Sequence, residues 1–170
     1  RYFIRKQYQL LDELAKNPLL TVKAGPELVE RQYSDGKDVL ILDRAHPAGH
    51  TGNIQKLSGY FTRPTAFFFY VLRPSVDGKT HRVAFKSKSI AVHREGIVDL
   101  PFETPVPVMT GDLFAYHFPK EVGVYFDEDV GGSKVWVDHS ELRLNGKFDP
   151  ASGKGPGNRA YSLQAQLDLW

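Results

Sequence analysis

From residue 37 onward the apolar positions fall in short runs, parted every 8 to 14 residues by Gly, Pro, Asn and Asp. The runs at 39–42, 60–62, 66–72, 81–85, 89–92, 97–100, 113–118, 122–126, 134–137, 141–144 and 162–169 predict strands. The last is the cleanest. Tyr161, Leu163, Ala165, Leu167 and Leu169 alternate with Ser162, Gln164, Gln166 and Asp168, which asks for one buried and one wet face. The run 66–72 is apolar almost throughout, as in a central strand covered on both sides. Asp77-Gly78 between 66–72 and 81–85 is a hairpin signal.

The first residues follow another period. Ile4, Tyr8, Leu11 and Ala15, beside Phe3, Leu10 and Leu14, predict an amphipathic helix over 2–16, stopped by Asn17-Pro18. That helix either packs on its own domain, as a cover for the central strand, or joins the domain to a neighbour. No later stretch has helical periodicity, so strand–helix–strand architectures are disfavoured. The expected fold is all-β: an antiparallel β-sandwich, jelly-roll-like, over 37–170, preceded by an N-terminal helix and connector over 1–36. Residues 146–159 hold four Gly and two Pro and read as an internal loop.

Composition narrows the chemistry. In 170 residues there is no cysteine, which removes disulfide scaffolds, thiolate metal sites and cysteine nucleophiles. A formal net charge of +2 gives no reason to expect a nucleic-acid partner. The run 66–72 is far short of the ~20 residues of a membrane helix, so no membrane span is expected. Arg1 is not an initiator Met, so a processed protein or a piece of a longer one is expected, and no Asn-x-Ser/Thr sequon occurs.

Several elements in the middle of the chain form a recognisable order. An aromatic strand ends in Arg73-Pro74. Then come Ile97-Val98-Asp99-Leu100, the segment Pro105-Val106-Pro107-Val108-Met109-Thr110-Gly111-Asp112, the strand Leu113 to Phe118, Gly123-Val124-Tyr125-Phe126-Asp127 and a terminal Tyr161-Ser162-Leu163-Gln164-Ala165. Over roughly 55–168 this resembles a β-sandwich module of extracellular and cell-surface multidomain proteins of animals and other eukaryotes. The resemblance implies a binding or structural module on the outside of a cell, and it carries over no catalytic residues. Read on their own, Thr110-Gly111-Asp112 form a turn, because Gly permits positive φ and Asp can bond the backbone ahead.

Asp127-Glu128-Asp129, followed by Gly131-Gly132, is the densest acidic cluster and the candidate calcium site. Such a site would borrow oxygens from Asp99, Asp138 or Asp149; the competing reading is a solvated hairpin tip. Asp43, His46 and His50 could meet a transition metal only through a loop, because Pro47 and Gly49 break helical spacing. No nucleophile elbow occurs, and Gly153-Lys154 lacks the Ser or Thr and helix start of a phosphate loop. No catalytic constellation is therefore expected, although paired carboxylates would be fixed only by the fold.

Charge divides by region. Residues 61–100 carry seven Lys plus Arg and three Asp plus Glu, whereas 101–170 carry six and ten. On separate faces these stretches would attract neighbouring copies head to tail; interleaved, they would cancel. The basic set Arg82, Lys86, Lys88 and Arg94 is a candidate face for an acidic polysaccharide, with Arg82, Lys86 and Lys88 placed by alternation opposite Val83 and Phe85. Trp136 is a candidate platform for a sugar ring.

The function expected is a noncatalytic extracellular β-sandwich module that mediates protein–protein assembly or adhesion with other subunits or neighbouring modules. The alternative is a lectin-like, carbohydrate-binding module for glycans, assisted by calcium at the acidic tip.

Overall fold

The computed structural model describes residues 20–128, 135–138, 141–150 and 157–169. The helix expected over 2–16 lies outside them, as do Asp129 and residues 151–156 of the Gly-rich loop. Among the described residues the chain is all-β and contains no helix long and apolar enough to cross a membrane.

The described residues form thirteen strands: β1 (Leu20–Ala24), β2 (Lys37–Asp43), β3 (Gly52–Phe61), β4 (Thr65–Pro74), β5 (His81–Lys86), β6 (Ile90–Val92), β7 (Gly96–Val108), β8 (Leu113–Glu121), β9 (Phe126–Glu128), β10 (Val135–Asp138), β11 (Lys147–Phe148), β12 (Arg159–Tyr161) and β13 (Leu163–Leu169). Every pairing is antiparallel. One sheet has the order β1-β13-β3-β7; the other runs β10-β2-β8-β4-β5-β11, with β6 also on β4; β12 and β9 make a small third ribbon. The sheets curl as a half-barrel.

Two departures from the expected elements have local causes. Leu20–Ala24, read as connector, pairs along its whole length with β13. Residues 141–144, read as a strand, instead enter a turn in which Gly146 N–H donates to the Arg143 carbonyl and Asn145 adopts φ 63°. Asn is among the few side chains that tolerate that region, so the chain reverses there.

The main core lies between the sheets. Phe67, Phe69 and Val71 of β4 join Ile54, Leu57 and Phe61 of β3, Val98 and Val106 of β7, Phe114 and Phe118 of β8 and the inward row of β13. Phe69 is its hub, with ring centroids 5.9 Å from Phe102 of β7, 5.8 Å from Phe114 and 5.4 Å from Tyr116. The intervening residues Phe68, Tyr70 and Leu72 point the other way, into a second cluster with Leu40, Leu42, Val83 and Ala115. Leu142 and Phe148 cover that face. The near-continuous apolarity of β4 is thus satisfied on both sides, as expected, with the segment 141–148 supplying cover.

β5 and β6 are one strand interrupted. Their pairing with β4 slips between Val71 and Leu72, and a second break falls at Ser87. There the Ser87 hydroxyl accepts the Phe69 N–H at 2.8 Å while Ser87 N–H donates to the Phe69 carbonyl. The side chain stands in for the ladder at the kink.

The Arg-Pro and Gly-Asp elements meet. Asp112 is fully buried, and Arg73 holds it with two parallel bonds of 3.1 and 2.8 Å. The carboxylate also accepts the Met109 N–H, and Gly111 turns the chain at φ 90° while donating to the Ala48 carbonyl. This ties the 109–112 turn to the end of β4 and to residue 48. Asp112→Ala is expected to lower unfolding free energy in urea titration by about 3–5 kcal/mol, because it strands a cation and a backbone donor. Arg73→Met with Asp112→Leu should cost clearly less than the sum of the two single changes.

Candidate functional site

Several buried or half-buried titratable side chains are spent on one another. Arg31 Nη1 lies 3.1 Å from Asp127, and Arg159 Nη1 lies 2.6 Å from Asp35. The Asp35 carboxylate also accepts the Tyr161 hydroxyl, and the Arg159 guanidinium stacks 3.8 Å from the Phe126 ring centroid. Burial and the Asp35 charge push the Tyr161 phenol well above its ordinary range, so it stays a donor. These groups clamp β9 and β12 to the segment 31–35.

Asp127 therefore sits against a guanidinium and accepts the Gln32 N–H at 3.1 Å; a calcium ion there would have to displace Arg31. Glu128 is exposed and pairs through its backbone with Arg159. Asp99, a candidate lender, holds Ser58 at 2.6 Å and Lys56 at 3.1 Å. Among the described residues no group of three or more His, Asp or Glu is placed to hold a metal. The Asp43 carboxylate accepts the Ala45 and His46 N–H groups and lies 2.9 Å from His46 Nδ1, which makes it a turn former; His50 is not joined to them.

The basic set does not form one face. Because pairing slips between Val71 and Leu72, Val83 enters the outer cluster while Phe85 packs on the main core, so the two no longer share a side. Lys86 lies on the outer side, 5.2 Å above the Phe68 ring and 2.6 Å from Glu141. Arg82 is turned the other way, pairs across with Arg73 and reaches Asn145 at 3.2 Å. Lys88 and Arg94 are exposed on either side of β6. Trp136, in β10, pairs through its backbone with Leu42 of β2.

The two charged stretches interleave. Arg73 with Asp112, Arg63 with Glu121 and Lys86 with Glu141 each join a cation of 61–100 to a carboxylate of 101–170. The regional imbalance is consumed inside the molecule.

Among the described residues, open concavities lie at opposite ends of the β4–β8 pair. One is an apolar groove of about 560 Å³ floored by Phe68 and Ala66 and walled by Pro64, Ala91, Val92 and Pro119. Its rim is partly committed, since Thr65 Oγ1 donates to the Glu121 carbonyl and Arg63 pairs the Glu121 carboxylate. The other is a polar recess of about 580 Å³ lined by Arg44, Lys79, His81, Leu113, Asp149 and Pro150. Neither was visible in the sequence, because each is assembled from three or more turns and strand ends; only Asp77-Gly78, next to Lys79, carried a local signal.

Comparison with family models, curated proteins and solved structures finds no match for this chain.

The Asp43 hydrogen bond and charge raise the His46 pKa, against the opposing effect of partial burial. The folded state then binds this proton more tightly than the unfolded chain. The stabilisation is full below about pH 6.5 and is lost as pH rises through the raised folded value. In urea titrations from pH 5.5 to 8.5, His46→Gln is expected to flatten that part of the stability profile, with little change in stability at the alkaline end.

Proposed function

We propose that the protein is a noncatalytic β-sandwich module of jelly-roll type, working outside the cell or at its surface, that joins protein to protein through the apolar groove, with a second copy as partner. The fold reading rests on the pairing. With β5 and β6 taken as one interrupted strand, the chain makes four nested antiparallel pairs, β1 with β13, β2 with β8, β3 with β7 and β4 with β5. Alternate pairs fall in the two sheets. Wrapping one long ribbon in that way produces the double Greek key of jelly rolls. The location rests on the resemblance of residues 55–168 described above.

The single observation that carries the functional reading is the groove. An open concavity whose lining is mainly hydrocarbon, with Ser89, His93 and Lys120 at its edge, offers water-exposed apolar surface, which favours a protein segment over a sugar. Asp35, Asp43, Asp99, Asp112 and Asp127 are meanwhile engaged in structural pairs, which supports a noncatalytic role. Since the regional charges pair internally, attachment is hydrophobic rather than head-to-tail electrostatic.

Sedimentation equilibrium of the purified chain should show reversible self-association that persists in 0.5 M NaCl, beyond the range where surface charge acts. Ala91→Arg, at an exposed position of β6, should weaken it at least ~10-fold, about 1.4 kcal/mol, without moving the thermal midpoint. A strictly monomeric chain at millimolar concentration, or association abolished by salt, would overturn the proposal.

A further inference from the structure

The recess at the other end of β4 differs from the groove in every chemical respect. Arg44 follows β2, Lys79 lies in the β4–β5 hairpin, His81 opens β5, and Asp149 and Pro150 follow β11. Among the described residues neither the Arg44 nor the Lys79 side chain makes an ion pair, although both are exposed cations beside one space. This contrasts with Arg31, Arg63, Arg73, Lys86 and Arg159, each of which holds a carboxylate. His81 Nδ1 is buried without a hydrogen-bond partner. Burial and the nearby Arg44 charge hold the His81 pKa below its ordinary value, against weaker opposing pulls from Asp112, Asp149 and Asp77. The imidazole is therefore neutral near pH 7 and adds no charge to the recess.

We infer that this recess is a binding site for an acidic saccharide, a pyranose bearing a carboxylate, held through Arg44 and Lys79. The two cations would take the carboxylate. Asp149, whose oxygens can accept more than one bond, would take ring hydroxyls, and Leu113 with Pro150 would lie against the C–H face of the sugar. The same lining argues against phosphate as the natural ligand: an oxyanion of higher charge would face the Asp149 carboxylate, and it would leave the apolar wall unused. The volume, about 580 Å³, lies in the range of sites for small molecules and exceeds what one sugar ring fills. The site shares no residue with the groove, so it stands or falls apart from the assembly reading.

The test titrates the full chain with methyl β-glucuronide, methyl β-glucoside and inorganic phosphate, followed by amide NMR shifts. The glucuronide is expected to bind with a dissociation constant on the order of 1–10 mM, shifting residues 44, 79, 81 and 149. The neutral glucoside and phosphate should each bind at least ~10-fold more weakly, and added salt should weaken the glucuronide. Arg44→Gln with Lys79→Gln, both exposed and expected to leave the thermal midpoint unchanged, should abolish the shifts, while Ala91→Arg should retain them. Equal response to the glucoside, equal or stronger response to phosphate, binding that survives the double substitution, or no binding at 50 mM would each overturn the inference.

Discussion

Strand β4 has no polar face to offer to water. Phe67, Phe69 and Val71 point into the space between the sheets, and Phe68, Tyr70 and Leu72 point away from it, so both sides must be covered. One face obtains that cover from the β1-β13-β3-β7 sheet, which is why the two sheets share a core instead of lying apart. The other obtains it from 141–148, drawn back across β5 so that Leu142 and Phe148 close over Tyr70 and Leu72. Full burial of one such side chain is worth about 1.5–3 kcal/mol, whereas an exposed ion pair is worth roughly 0–1. The surface pairs therefore follow the wrapping of β4 and do not drive it. Arg73 with Asp112 is the exception: a fully buried carboxylate and a half-buried guanidinium set the register of the turn against the end of the strand, and the carboxylate cannot lose its partner without cost.

What could be read from the sequence was what a single strand records about its own surroundings. The apolar row of 162–169, the uninterrupted apolarity of 66–72 and the Asp77-Gly78 reversal report local geometry and reappear in the structure. The row expected to be wet is not: Ser162 and Asp168 are buried and Gln164 and Gln166 half-buried under the segment 20–31. What stayed hidden depends on partners far away in the chain. Arg73 and Asp112 are 39 residues apart, and nothing about either residue announces the other. The supposed basic row failed for a related reason. Alternation holds only while pairing is regular, and one slip between Val71 and Leu72 sends Arg82 and Lys86 to opposite sides. β1 was missed because Leu20-Thr21-Val22-Lys23-Ala24 gains its burial only from β13, its sequence partner being nearly 150 residues away. Both candidate sites were invisible for the same reason, since each is a gap between elements and not a motif within one.

The way the charges pair also decides which kinds of contact the module can make. A regional imbalance looks like a dipole when counted along the chain, yet nested pairing lays the basic strands β4 and β5 beside the carboxylates of β8 and of 141–149. Arg63, Arg73 and Lys86 are neutralised within hydrogen-bond distance, which shortens the reach of their fields to less than a Debye length. Attraction between distant copies therefore falls to what remains unpaired, and Arg44 and Lys79 stand together in that remainder.

β4 and β8 also fix how far apart the two concavities lie. Thr65 and Pro119 border the apolar groove, while Leu113 and His81, opposite Pro74, border the recess. At about 3.3 Å per residue the six steps along β8 from Leu113 to Pro119 span about 20 Å. The spacing of these strand positions is held by a pair of central strands packed on both faces. A protein bound in the groove would leave the recess open to solvent, and a saccharide in the recess would not touch the groove. If both proposals hold, the two partners would sit at once at a set spacing, which a single mixed cleft would not permit.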